Sequence, residues 1–341
     1  MSTAPPTPPA RGTVMLPGHR ILVCLDRSPF SEVCVPYAIS LARTFESELT
    51  LLHVMQPHPE HAGPYKTDTL GWEISRQEAR AYLERWEREV ALALGRPIDV
   101  RLEQGHPAAR ILGLAQELGA DLTVLGSHGE GGVTAWNLGG TVQQVLAVTR
   151  GSVFVAHSST AAAIGVPPRR ILVPLDGSLR AESALPTATR IAAAYGAELV
   201  LVHVVQEPVM SAVLRAGDEH ALATDLAARL AASAHDYLAG VRARLAHDDP
   251  DVRVVVVRHP NERQGLLEIT LREHADLVVL AAHGVACDPA RAFGSVTAYL
   301  LTHATVPLLV LQDLPQPRAR PIELGERRAP PLRASYPPEV A

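Results

Sequence analysis

Short apolar runs alternate along the chain with longer segments in which apolar residues recur every three or four positions. Residues 21–25 form a run of strand length, and Asp26, Ser28 and Pro29 directly after it favour a turn and the start of a helix that continues to Phe45. Similar runs in the first half of the chain are residues 49–54, 100–102, 122–125 and 153–156. Because these runs are apolar on both faces and each is joined to the next through a helix, they predict an α/β fold whose parallel sheet is covered on both sides.

The same pattern occurs twice. The segment from Arg20 to Asp26 returns from Arg170 to Asp176, 150 residues later, and residues 121–129 return as 276–284. The strand-like runs of the second copy are 171–175, 199–204, 252–257, 277–280 and 308–311. Solenoid repeats have periods of roughly 20–50 residues, so copies this long should each have a core of their own. We therefore predict two doubly wound, Rossmann-like domains, each with a five-stranded parallel sheet of strand order 3-2-1-4-5.

The composition between and around the copies predicts the domain limits. We expect the domains to span residues 19–158 and 169–313, with a linker at 159–168 that is rich in small residues and proline. Residues 1–18 and 314–341 contain many prolines and little apolar periodicity, so both are predicted to be disordered tails.

Charge and composition exclude several classes of function. A net charge of −5 offers no basic surface for DNA or RNA, so nucleic acid is not an expected ligand. No apolar run reaches the roughly 18–20 residues of a membrane helix, and we expect a cytoplasmic protein without membrane contact. Lys66 is the only lysine and does not stand in a Gly-Lys-Ser/Thr sequence, which excludes a P-loop. The preference for arginine over lysine is typical of a GC-rich bacterial genome.

Potential metal ligands do not form a convincing set. Cys24, Cys34 and Cys287 fall at unrelated positions in the two copies, which fits neither a disulfide framework nor a metal site. His58 and His61 have no counterpart in the second copy. We expect no bound structural metal.

The candidate site lies where the strand order of a doubly wound sheet reverses, beyond the carboxyl ends of the first and fourth strands. In the first copy these positions hold Asp26 and the glycine-rich stretch 126–141. Its glycines let backbone amides approach an anion, and Gly139 and Gly140 open a helix whose free N–H groups favour phosphate. The position alone predicts binding of a nucleotide phosphate without lysine or a metal cage.

These residues also carry a resemblance. The spacing Gly, two residues, Gly, nine residues, Gly, then Ser or Thr resembles the signature of ATP-binding universal stress proteins of the UspA type, and both copies are similar to it. The resemblance implies that Asp26 and Val54 flank adenine and ribose, and that Gly126, Gly129 and Gly139 hold the phosphates of ATP or ADP, with or without Mg²⁺.

Each copy departs from the signature at one end. In the first copy Gly140 stands where Ser or Thr is expected, and the hydroxyl of Thr141 is displaced by one residue. In the second copy Ala281 replaces the first glycine, at a position where a need for positive φ or close phosphate approach would make the extra methyl group decisive. The matching residues of the second copy are Asp176, Val204, Gly284, Gly294 and Ser295. We expect the first copy to be the better ATP site.

The same residues also fit structural roles. Asp26 and Asp176 are alternatively helix caps, and His53 and His203 are expected only to pack at strand ends. His128 and its counterpart in the second copy lie in the glycine loops without an identifiable orienting partner, so no catalytic role is assigned to them.

The resulting functional prediction is a nucleotide-binding module of the stress response, with at most slow ATP hydrolysis. The alternative is a scaffold or dimerisation protein of the same fold that binds no nucleotide, which Ala281 and Gly140 favour. The resemblance further implies that the fifth strands, residues 153–156 and 308–311, pair the two domains within one chain. Dimerisation of whole chains is a further option.

Overall fold

The computed structural model describes residues 19–56, 69–128, 138–157, 167–207, 218–245, 251–288 and 290–313. The predicted tails, most of the predicted linker and the His58–His61 segment lie outside these ranges. Within the described ranges, no helix combines the length and apolar character needed to cross a membrane.

The first half of the chain contains five strands joined by helices. Its elements are β1 (Arg20–Leu25), α1 (Pro29–Glu32), α2 (Cys34–Thr44), β2 (Glu48–Met55), α3 (Thr69–Leu94), β3 (Asp99–Gln104), α4 (Pro107–Leu118), β4 (Leu122–Gly126), α5 (Gly140–Val148) and β5 (Ser152–Ala156). The observed strand ends lie within two residues of the predicted ones, because continuous apolar runs mark strands that are buried on both faces.

The second half repeats this series. Its elements are β6 (Arg170–Pro174), α6 (Leu179–Glu182), α7 (Leu185–Tyr195), β7 (Glu198–Gln206), α8 (Asp218–Leu245), β8 (Val252–His259), α9 (Glu262–Arg272), β9 (Leu277–Ala281), α10 (Ser295–His303) and β10 (Leu308–Leu311).

The helix predicted after the first strand is interrupted in both halves. In the first half α1 ends at Glu32, four residues before Pro36, and in the second half α6 ends at Glu182, four residues before Pro186. Proline has no N–H to bond the carbonyl four residues back, so the helix stops and restarts as α2 or α7. The apolar periodicity continues through the break, which is why the pattern alone predicted one helix.

All ten described strands form one sheet. Its strand order is β3-β2-β1-β4-β5-β10-β9-β6-β7-β8. The pairs within each half are parallel, and each half has the order 3-2-1-4-5. The predicted doubly wound fold is confirmed.

The two halves meet at their fifth strands. β5 and β10 are antiparallel, with Phe154 opposite Leu309 and Val153 opposite Val310. At the end of this ladder the backbone N–H of Gln312 donates to Oγ of Ser152 at 3.0 Å, and this hydrogen bond is buried.

Helices cover both faces of the sheet. One buried layer contains apolar side chains of α2, α3, α7 and α8, and the other contains those of α4, α5, α9 and α10. Alternate residues of β1 enter opposite layers, as Val23 and Leu22 illustrate. On the first face α2 and α7 also contact each other across the junction, where the hydroxyl of Tyr195 donates to the carbonyl oxygen of Ser40 at 3.0 Å.

Candidate functional site

Two clefts lie at the points where the strand order reverses. We call the region around the carboxyl ends of β1 and β4 and the start of α5 the first cleft. The second cleft is the corresponding region at the carboxyl ends of β6 and β9 with the start of α10. Because β1 and β4, like β6 and β9, are adjacent in the sheet while their following helices cover opposite faces, each pair leaves a crevice beyond the strand ends.

The second cleft contains a cavity of about 320 Å³. The site residues predicted for the second copy come together around it: Asp176, Val204, Gly284, Gly294 and Ser295 all line the cavity, as does Ala281. Its remaining walls come from the ends of β6, β7 and β9, the start of α9 and the loop before α10.

Asp176 links the end of β6 to the glycine loop, which is the loop between β9 and α10 that contains Gly284 and Gly294. Its Oδ1 accepts a hydrogen bond from the N–H of Ser178 at 2.9 Å, and its Oδ2 accepts one from the N–H of Val285 at 2.7 Å. A Cβ atom on Gly284 would lie 2.0 Å from Oδ2 of Asp176. Only glycine therefore allows the carboxylate to rest against this loop.

The reading of the two aspartates as helix caps is wrong. The cap of α6 is Ser178, whose Oγ accepts from the N–H of Ala181 at 3.1 Å, and the cap of α1 is Ser28. In the first cleft, Oδ1 of Asp26 accepts from the N–H of Ser28 at 3.0 Å and from its hydroxyl at 2.6 Å. Each aspartate therefore stabilises the turn between its strand and the helix that follows.

The helix that opens each cleft begins in the same way in both halves. Gly294 caps α10 in an extended conformation, and its N–H donates to the carbonyl oxygen of Ala282 at 2.8 Å. Gly139 caps α5, and its N–H donates to the carbonyl oxygen of Ser127 at 2.7 Å. The first-turn N–H groups of a helix have no partner within the helix, so each start offers donors to an anion.

The first cleft is described in part. Asp26 and Val54 are half-buried, Gly139 and Thr141 are half-buried, and Gly140 is exposed. A Cβ atom on Gly140 would meet nothing within 4 Å, so this position has room for a side chain. Gly129, predicted to hold a phosphate, lies outside the described residues.

The glycine at the end of β4 lies against the backbone of α1. Gly126 does not have a positive φ; instead, a Cβ atom there would lie 2.7 Å from the carbonyl oxygen of Phe30 in α1. At the equivalent position of the second half, Ala281 carries a Cβ in a buried site. The close approach of α1 to the end of β4 therefore requires a glycine at position 126.

Sequence reasoning missed Glu262, which also lines the second cleft. It is the first residue of α9, capped by Asn261, and its side chain is half-buried. Burial raises the pKa of Glu262, and the negative charge of Asp176 raises it further. Asn followed by an acidic residue after a strand indicates the start of a helix. That Glu262 lies near Asp176, however, follows only from the fold.

His283 does have an orienting partner, contrary to the expectation. Its Nδ1 lies 2.8 Å from Oδ1 of Asp313, which also accepts from the backbone N–H of His283 at 3.1 Å. Its Nε2 lies 3.1 Å from the carbonyl oxygen of Arg291. Both ring nitrogens are thus engaged, and the ring is not aimed at a ligand as a general base would be.

Cys287 lies close to this pair, so that one atom each of His283, Cys287 and Asp313 fall within 4.8 Å of one another. Oδ2 of Asp313 forms an ion pair with the guanidinium of Arg180 at 2.8 Å. Protein N–H groups therefore use both oxygens of Asp313, and a positive charge lies beside them. This arrangement fits a buried ion-pair network better than a cation site.

In the first half His128, the counterpart of His283, lies beside His157. His128 is buried, and its Nδ1 lies 3.1 Å from Oγ of Ser127. Burial, together with the charge of His128, lowers the pKa of His157 to about 4. His53 packs at a strand end as expected, with Nδ1 2.8 Å from the carbonyl oxygen of Leu25.

The fold and clefts define a tandem pair of doubly wound α/β domains with a crevice at each reversal of strand order. A family model described as the universal stress protein family matches the chain twice, over residues 18–157 and 168–312. The chain belongs to the universal stress protein family.

Individual relatives agree with this assignment over most of the chain. A universal stress protein of Mycolicibacterium smegmatis is 30% identical over 306 residues, which cover 86% of this chain and 97% of the relative. One of Mycobacterium tuberculosis is 27% identical with the same coverage. The crystal structure of a universal stress protein from Archaeoglobus fulgidus has a TM-score of 0.61 and 18% identity, covering 86% of this chain and 98% of that one, and it supports the fold.

Proposed function

We propose that this universal stress protein binds an adenine nucleotide, ATP or ADP, and acts as a regulatory module of a cellular stress response. One observation carries the proposal: an aspartate, a glycine loop and the free start of a helix converge on one cavity at the reversal of strand order. The residues concerned are Asp176, Gly284, Gly294 and Ser295. This is the arrangement in which doubly wound sheets bind nucleotides.

The first cleft is proposed as the better ATP site. Its described part has the same helix start, with Gly139 as the cap, and Asp26 directly follows β1 with its side chain half-buried. It also keeps a glycine at position 126, where the second half has alanine. Both Asp26 and Val54 stand at the strand ends where the resemblance expects adenine and ribose.

The proposal can be tested by identifying the nucleotide that leaves the purified protein on denaturation and by titrating the full chain with ATP and ADP. Asp26→Ala should weaken ATP binding at least tenfold, because a buried or half-buried acceptor for a ligand hydroxyl is lost. Asp99→Ala is the matched control, since Asp99 is exposed at the opposite, amino end of a strand. If the native chain binds neither ATP nor ADP at millimolar concentration, the proposal is wrong.

A scaffold without nucleotide is the second candidate, and one observation favours it. In the second cleft, Asp176 already accepts the N–H of Val285, a backbone donor that a phosphate would otherwise use. We also propose that the two halves pair within one chain in solution, supported by the antiparallel ladder between β5 and β10. Sedimentation of the chain as a monomer at low concentration, with the fold retained, would agree with this pairing.

A further inference from the structure

Two acidic side chains line the second cleft. They are Asp176 at the end of β6 and Glu262 at the start of α9, and no arginine or lysine accompanies them among the described residues that form the cavity. The two carboxyl groups are close enough for the charge of Asp176 to affect the ionisation of Glu262. The cleft therefore presents negative charge to whatever enters it.

The positive charge near the cavity offsets this negative charge only in part. The guanidinium of Arg263, next to Glu262 in the chain, lowers the pKa of Glu262 by less than burial and the charge of Asp176 raise it. The guanidinium of Arg180 is paired with Asp313, and His283 uses its two ring nitrogens on Asp313 and the carbonyl oxygen of Arg291. Glu262 itself forms no hydrogen bond or ion pair within the described part of the chain. Its carboxyl group is thus available to a ligand.

A side chain of the protein itself already occupies one backbone donor of the glycine loop. The carboxylate of Asp176 accepts the N–H of Val285 at 2.7 Å and rests on Gly284. A polyphosphate would have to displace this carboxylate to reach the same N–H group. The cavity volume of about 320 Å³ is also at the small end of the roughly 300–1,000 Å³ typical of ligand pockets.

We infer that the second cleft selects a nucleoside such as adenosine over ATP, with Glu262 as the specificity-determining residue. This inference rests on the proposed binding of adenine ligands. Carboxylates accept hydrogen bonds from ribose hydroxyl groups and from an exocyclic amino group, whereas they repel phosphates. The apolar side chains of Val204 and Leu266, which line the same cavity, suit the flat base.

The first cleft lacks this acid. The residue equivalent to Glu262 at the start of α4 is Pro107, so the fourth helix of the first half contributes no carboxylate there. The two clefts of one chain are thereby assigned different ligands of one chemical class: a nucleotide in the first and a nucleoside in the second.

Hydrogen–deuterium exchange of the full chain, with adenosine or ATP added over a range of concentrations, can separate the clefts. Protection of residues 277–288 and 290–297 reports the second cleft, and protection of residues 122–128 and 138–148 reports the first. Adenosine should protect the second cleft at a concentration about tenfold or more below that needed by ATP. In Glu262→Gln this preference should shrink by about tenfold, the change expected for about 1.4 kcal/mol of lost repulsion.

Glu268→Gln is the matched control, because Glu268 lies on the same helix with its side chain 71% exposed. It should leave the preference unchanged. If ATP and adenosine protect the second cleft equally, or if Glu262→Gln does not alter their ratio, the inference is wrong while the proposed function stands. If no adenine ligand protects either cleft, both the proposed function and the inference are wrong. A melting curve of Glu262→Gln verifies that the variant is folded.

Discussion

His157 and Gln312 occupy the same position in the two halves, directly after the fifth strand. Gln312 caps the ladder between the halves through its N–H bond to Ser152, while His157 is 4% exposed and lies beside His128. One half therefore buries a titratable ring where the other buries a neutral amide.

We predict that this difference makes the protein sensitive to acid. The pKa of His157 is lowered to about 4 by burial and by His128, whereas an unfolded histidine has a pKa of about 6.5. The stability that depends on neutral His157 is present above about pH 6.5 and is lost as the pH falls towards 4. Between pH 7 and pH 4, the native chain should lose up to about 3 kcal/mol more than His157→Gln.

Urea unfolding at several pH values measures this effect. His303→Gln, which changes an exposed histidine, serves as the control and should follow the native pH profile. If the stability of the native chain and that of His157→Gln depend on pH in the same way, His157 is not the cause of the acid sensitivity.

A second prediction concerns the missing hydroxyl of the first cleft. Gly140→Ser should strengthen ATP binding by about two- to tenfold, because a Cβ meets nothing within 4 Å there and the new hydroxyl gains one hydrogen bond to phosphate. Calorimetric titration gives the affinity. Gly113→Ser, in equally open space on α4, should leave it unchanged, and a loss of affinity in Gly140→Ser would count against the phosphate site.

Glu262→Gln should stabilise the fold at neutral pH. The raised pKa of Glu262 means that the folded state holds the proton more tightly than the unfolded chain does. The associated stability is present below the ordinary glutamate pKa and is lost as the pH rises through the folded value. The melting temperature of the variant should exceed the native one by about 1–3 °C at pH 7, and the two should converge below about pH 4.

The outcome for Glu262→Gln separates electrostatic repulsion from packing. A gain of the same size at every pH would indicate packing instead. Glu268→Gln should show neither the gain nor the pH dependence, because its carboxyl group is largely exposed.

Asp313→Ala should destabilise the second half strongly. The change leaves the imidazole and backbone N–H of His283 without their acceptor and removes the partner of Arg180. Loss of such a buried pair costs about 2–4 kcal/mol. Thermal unfolding measures the loss, and Asp225→Ala, which removes an exposed helical ion pair, should change the stability by less than about 0.5 kcal/mol.

Ser152→Ala tests the junction between the halves. The buried N–H of Gln312 would lose its acceptor, at a cost of about 1–3 kcal/mol. Ser183→Ala is the control, because that hydroxyl bonds only to the nearby carbonyl oxygen of Arg180. If the fifth strands do not pair in solution, both variants should unfold at the native urea concentration.

The hydrophobic pattern predicted the strands and the buried parallel sheet well, because continuous apolar runs leave few alternatives to such a sheet. The apolar runs do not determine the strand order. It did not predict the break before α2, since the cause is a missing N–H at Pro36 and not a change in apolar spacing. The elements that hold the clefts were therefore predictable, and their exact boundaries depended on proline chemistry.

Site residues that act through contacts distant in the sequence were not predictable. His283 and Asp313 are 30 residues apart, and Asp176 and Glu262 are 86 residues apart, so each pair meets only in the folded sheet. The packing constraint on Gly126 was missed for the same reason. Its neighbour is the carbonyl oxygen of Phe30, and no local pattern reveals that contact.

The antiparallel meeting of β5 and β10 has a consequence for communication between ligands. The strands of one half run antiparallel to those of the other. The first cleft therefore opens at one end of the strands of the ten-stranded sheet, and the second cleft opens at the opposite end. Two bound molecules would never touch. If both clefts bind ligands, any influence of one ligand on the affinity for the other would pass through the shared strand ladder and the helices packed on it, and one chain would respond to two chemical signals at separate places.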